Sequence, residues 1–170
     1  MSEQSNIDGV SNPLSSYRWI ILAVLTATQI GSSIAALSFG PLAPFLQETL
    51  NINRAQVGLC TSFLYFGSIL VSIPSGRLAD LIGVRRILLI GPALMGGFFL
   101  IISQITSFRM LWLFTLCAGM GYGVINPSTA KAIVYWFSVR GRATALGIKQ
   151  SGVTAGAAIA AVALPASAIA

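Results

Sequence analysis

The chain has 170 residues, of which 55% are hydrophobic and only 8% charged, and its mean hydropathy is +0.83. Soluble domains carry about 25% charged residues, so this composition excludes a water-covered globule and predicts a membrane protein. The net charge of +6 comes from ten scattered basic residues with no Lys/Arg run longer than two, and there is no histidine, which together exclude a nucleic-acid surface, His-based triads and most zinc sites.

Residues 1–17 are polar, contain Glu3 and Asp8, and lack the basic start of a signal peptide. They read as a tail before an uncleaved first span. A bilayer-crossing helix needs about 20 mostly apolar residues. Uncharged windows of that length cover 19–47, 55–76, 87–108 and 110–130, and a fifth runs over 150–170. Backbone groups in lipid can bond only within their own segment, so the windows predict helices rather than strands. The boundaries expected are 18–39, 55–75, 87–106, 111–136 and 143–170. Pro41, Pro44 and the polar QETLNINR stretch predict a loop after the first span. The expected fold class is therefore all-α, a polytopic helical membrane protein, with a tail over 1–17 and a transmembrane region over 18–170.

Arginines orient the spans. Arg18, Arg77, Arg85, Arg86, Arg140 and Arg142 collect at one set of ends, and only Arg54 and Arg109 at the other. The positive-inside rule then puts the N-terminus in the cytoplasm. Tyr17, Trp19, Trp112, Tyr135 and Trp136 fall at span ends, where interfacial aromatic belts are expected. Cys60 and Cys117 lie far apart within apolar stretches and read as small buried hydrophobes.

Between the second and third spans stands Gly76-Arg77-Leu78-Ala79-Asp80-Leu81-Ile82-Gly83-Val84-Arg85-Arg86. It holds four of the fourteen charged residues. A carboxylate here, opposite Arg77, Arg85 and Arg86, can bond an arginine or the exposed amides of a helix N-terminus. Such a bond can form in one conformation and break in another, as a gate requires. A plain positive-inside turn would carry the same charges.

This stretch, continued through Ile87 and Leu88, resembles the signature of the major facilitator superfamily, which lies between the second and third spans. Gly76, Leu78, Ala79, Asp80, Gly83, Arg85 and Leu88 match it; Leu81 and Val84 stand where the family carries basic residues. The resemblance covers the chain from about residue 18 and implies the first five of twelve helices, part of an N-terminal six-helix half. It further implies alternating access by rocking of two halves around a central cavity. The first and fourth helices would line that cavity, and the signature residues Gly76, Leu78, Asp80, Gly83, Arg85 and Arg86 would latch the cytoplasmic side against the other half. That C-terminal half, the bilayer and a small-molecule substrate are the partners expected. Lacking it, the chain reads as a piece of a longer protein in a plasma or bacterial inner membrane.

Polar residues inside spans are costly and mark sites. Thr26, Gln29 and Ser33 share a helical face, and Gln29 lies about ten residues, roughly 15 Å, from the interface. Asn126 is equally deep when counted back from Trp136. Both either line a cavity or bond helix to helix. Tyr65, on a stripe with Thr61, Ser68 and Ser72, could reach a ligand with its hydroxyl. Lys131 and Lys149 either snorkel to the cytoplasmic interface or make the cavity positive.

No Asp or Glu occurs in the core of the five spans, so the proton-coupling carboxylate of many superfamily symporters is absent from this half. This favours an organic or inorganic anion over a cationic drug. Gly152 and Gly156, with Gly119, Gly121 and Gly123, predict close helix contacts. The GMGYG run is neither a G-x-G-x-x-G fingerprint nor preceded by a soluble strand, and no P-loop or G-x-S-x-G is present. No cofactor and no enzymatic activity are expected. A drug or metabolite exporter of the same superfamily, or a non-transporting truncated membrane protein, are the alternatives.

Overall fold

A computed structural model describes the backbone of residues 13–169 and the side chains of residues 17–167. Most of the expected tail, with Glu3 and Asp8, lies outside the described residues. Six helices follow one another: α1 (Pro13–Ala36), α2 (Ala43–Leu50), α3 (Arg54–Ile82), α4 (Val84–Ile102), α5 (Phe108–Trp136) and α6 (Val139–Ile169). All but α2 are long and apolar enough to cross a membrane, so the protein is a helical membrane protein with five candidate spans.

Two stretches differ from expectation for identifiable reasons. The loop expected after the first span contains α2, which begins around Pro44, a residue whose missing N–H costs nothing in a first helical turn. Asn51, with φ 52°, ends α2 in the left-handed conformation that asparagine tolerates. A reciprocal capping box between Asn53 and Gln56 then starts α3 (2.8 and 2.9 Å).

The second difference concerns the signature, expected as a turn, which is almost wholly helical. α3 runs through Gly76–Ile82, and Gly83 alone separates it from α4. At 29 residues, α3 is about 43 Å long, longer than the ~30 Å hydrocarbon core, so its last turns reach past the lipid. Gly83 has φ 93°, open to glycine and strained for other residues. One residue thus reverses the chain.

The main helix pairs are α3 with α5, α4 with α5, and α1 with α6. Glycine makes each close. A Cβ on Gly119 would overlap the Leu64 backbone, and one on Gly123 the Ser68 backbone. A Cβ on Gly121 would come within 2.7 Å of the Gly91 carbonyl, and one on Gly156 within 2.7 Å of the Ile30 carbonyl. This is the small-residue contact that drives helix association in lipid, where apolar burial gives no advantage.

Two apolar clusters fill the ends of the bundle. Leu64, Met95, Leu111, Tyr122 and Ile125 join α3, α4 and α5. Leu22, Leu25, Ile133, Phe137 and Ala145 join α1, α5 and α6 at the end that bears Gly83. Ring pairs Tyr17–Trp136 (5.6 Å) and Trp19–Phe137 (5.9 Å) bring the start of α1 and the end of α5 together at that end. Cys60 is buried and Cys117 half-buried, and neither is bridged.

Candidate functional site

Two polar arrangements stand out, both built on α5. Positions five apart on a helix point about 140° apart around its axis, whereas positions four apart differ by about 40°. Asn126 and Lys131 therefore serve different neighbours, while Tyr122 and Asn126 share a face.

At the Gly83 end, the ammonium of Lys131 on α5 donates to the carboxylate Oδ1 of Asp80 on α3, an ion pair between the two helices. This differs from the expected opposition of Asp80 to Arg77, Arg85 and Arg86, which are all exposed and form no salt bridge with it among the described residues. Because α3 stays helical through the signature, Asp80 is held beside α5 rather than in a free loop facing those arginines. Lys131, expected either at the interface or in the cavity, lies at this end and meets Asp80 of the signature. The pair is half in solvent, with side-chain exposures of 39% for Lys131 and 67% for Asp80. It is a surface contact rather than a buried staple. Gly76 lies one turn and Leu78 about half a turn before Asp80 on the same helix, and Arg85 and Arg86 open α4 beyond Gly83.

Deeper in the bundle, Lys149 on α6 donates to the side-chain oxygen of Asn126 on α5 at 2.6 Å, a short bond of the charge-assisted kind. Lys149 is 3% exposed, whereas Asn126 is exposed. The amide thus covers the cation. No carboxylate forms a salt bridge with Lys149 among the described residues, so its ammonium is met by a neutral acceptor alone. Pro127 follows Asn126 inside α5 and removes one backbone donor from the helix at that level.

One turn away along the same face of α5, the Tyr122 ring stands 6.3 Å from the Tyr65 ring of α3, tilted 78°. This is an edge-to-face pair. Tyr65 is 40% exposed and Tyr122 nearly buried. In the sequence Tyr122 stands among glycines that point to packing. The i, i+4 spacing to Asn126 was the available signal.

Gln29 sits at the α1–α6 contact, its Cβ 3.3 Å from where a Cβ on Gly152 would lie. It is 0% exposed, and neither its amide oxygen nor its nitrogen has a hydrogen-bond partner among the described residues. Gln29 is thus packed between helices rather than open to a space, and the interhelical bond that might have explained it is not made. The structure therefore pairs Asn126 with Lys149 and Tyr65 with Tyr122, packs Gln29 against α6, and directs Lys131 to Asp80. Arg142, counted in sequence as an orienting charge, also closes the α5–α6 turn by donating to the carbonyls of Val134 (3.0 Å) and Phe137 (3.1 Å). Such bonds satisfy the open carbonyls at a helix C-terminus.

Comparison with known proteins agrees with this architecture. The family model of the Major Facilitator Superfamily matches residues 21–168. The 4-hydroxybenzoate transporter of Acinetobacter baylyi is 30% identical over 116 residues, 68% of this chain and 25% of that protein. The probable sulfoacetate transporter of Cupriavidus necator is 26% identical over 142 residues, 84% of this chain and 33% of that protein. The hexuronate transporter of Bacillus subtilis is 27% identical over 117 residues, 69% of this chain and 28% of that protein. Among solved structures, a bacterial homolog of the human lysosomal transporter Spinster, inward-facing and occupied, superposes with a TM-score of 0.74 at 26% identity. That match covers 89% of this chain and 32% of the other. The chain spans about a quarter to a third of the length of these relatives. Signature, helix order, family model and superposition agree: the chain belongs to the Major Facilitator Superfamily, whose members are transporters and not enzymes.

Proposed function

We propose that this chain is the N-terminal part of a secondary transporter that moves a small organic anion across a plasma or bacterial inner membrane by alternating access. The observation that carries the reading is the buried Lys149 ammonium, met among the described residues only by the neutral Asn126 oxygen. A buried charge without a counter-charge is costly in a low-dielectric site, and an anionic substrate is the partner that relieves it. Transporter sites lie near the bilayer midplane, between helices, which suits this pair. The relatives named for 4-hydroxybenzoate, sulfoacetate and hexuronate, all acid anions at neutral pH, add support from outside the chain.

In this reading the Arg-rich Gly83 end faces the cytoplasm. The Asp80–Lys131 pair, with Gly76, Leu78, Gly83, Arg85 and Arg86, forms the cytoplasmic gate, and a C-terminal half completes the cavity. Asn126 and Lys149 hold the anion, Tyr65 borders it, and Gln29 supports the α1–α6 wall behind it. The test is uptake of labelled anions by the complete transporter in proteoliposomes. Lys149→Met is expected to reduce uptake at least about tenfold through loss of the charge partner, and Lys149→Arg to retain part of it. Full uptake by Lys149→Met would sink the reading.

A further inference from the structure

We infer that the anion is an aryl carboxylate, recognised by the Tyr65–Tyr122 pair as well as by Lys149; this rests on the anion reading above. The first support is reach. Tyr122 and Asn126 are separated by four residues on one face of α5, a rise of about 6 Å. That is the span of one benzene ring bearing a carboxylate, so a group on Lys149 places the body of the molecule beside the tyrosines.

The second support is surface. Tyr65 is 40% exposed and already holds Tyr122 edge-to-face at 6.3 Å and 78°. A third flat ring can extend that arrangement, because aromatic rings attract one another edge to face through their quadrupoles. The third support is what the face lacks. A polyhydroxylated acid needs several reachable donors and acceptors. Gln29 and Ser33, the polar residues of α1 that pack against α6, are fully buried, so the polar groups this reading uses among the described residues are Asn126 and the hydroxyl of the exposed Tyr65. One anionic group on a flat, apolar body fits that set. Asn126 then acts as a positioning residue: its oxygen occupies the Lys149 ammonium until a carboxylate displaces it.

The experiment is equilibrium binding of radiolabelled benzoate to the complete transporter, with benzoate and cyclohexanecarboxylate as competitors. The two carry the same charge and nearly the same size and differ in aromaticity. Benzoate is expected to compete about fivefold more strongly, the advantage typical of an aromatic pair. Tyr65→Leu is expected to erase that ratio by weakening benzoate alone, and the conservative Tyr65→Phe, which keeps the ring, to preserve it. Equal competition by the two acids, or an unchanged ratio in Tyr65→Leu, overturns the aryl inference and leaves the anion reading intact. Binding of sulfoacetate or a uronate without benzoate does the same. Binding of none of these anions overturns both.

Discussion

Asn126 and Lys149 show how far one hydrogen bond can set a property. The ammonium is held at 2.6 Å by an uncharged oxygen, so among the described residues it has no internal counter-charge. Asn126→Asp changes the acceptor into a carboxylate at the same distance and supplies an internal counter-ion. Anion binding by this variant is expected to fall at least about tenfold, since the substrate then competes with a covalently tethered anion. Thermal unfolding in detergent is expected to stay level or move upward, because the buried cation gains a charge partner. Retained anion affinity in Asn126→Asp would show that Lys149 does not meet the substrate. The in-span lysines were visible in sequence, but their roles were not. Lys131 and Lys149 both sit seven residues from a polar flank, and hydropathy treats them alike. The rotation of Lys131 about 140° away from Asn126 on α5 and the nearness of α3 sent one to Asp80; the α5–α6 contact sent the other to Asn126.

At the scale of helices, the glycines of α5 divide by what surrounds them, and so do their substitutions. Gly119→Val places a side chain into the Leu64 backbone. We predict a loss of about 1–3 kcal/mol, the usual penalty for overfilling a tight contact, seen as a lower unfolding temperature in detergent. Gly97 on α4 meets nothing within 4 Å of a built Cβ. Gly97→Ala is expected to be neutral or slightly stabilising, because alanine is the better helix former. Equal effects from both substitutions would show that the α3–α5 contact does not depend on backbone approach. Gly83→Ala belongs to a third class, expected to destabilise by about 1–2 kcal/mol through its positive φ. Its measurement is the same unfolding assay. The close contacts were anticipated from composition alone, yet which carbonyl each glycine meets depends on helix pairing.

For the whole molecule, the Asp80–Lys131 pair ties α3 to α5 at the end where the two halves of such a transporter would close. An exposed ion pair of this kind contributes only about 0.2–1 kcal/mol to stability. Asp80→Asn and Lys131→Met are therefore expected to insert and fold normally while transport slows severalfold, read as initial uptake rate per inserted molecule. The charge-reversed double variant, Asp80→Lys with Lys131→Asp, is expected to regain part of the rate if the pair itself is the switch. Single variants with normal uptake would remove the gate role from both residues.

Composition, hydropathy and the signature determined by themselves that this is a helical membrane protein with five spans of a recognisable family, because lipid leaves the backbone few alternatives and the signature keeps its residue order. The tertiary structure decided what a one-dimensional pattern cannot carry, namely the azimuth of each side chain and the neighbour it meets. It extended α3 through the signature to a single-glycine joint, gave Asp80 a lysine from α5 in place of the nearby arginines, buried Gln29 against α6, and set Tyr122 beside Tyr65 one turn from Asn126. Each of these depends on how helices approach one another, and in lipid that is settled by local shape and by a few polar contacts rather than by apolarity.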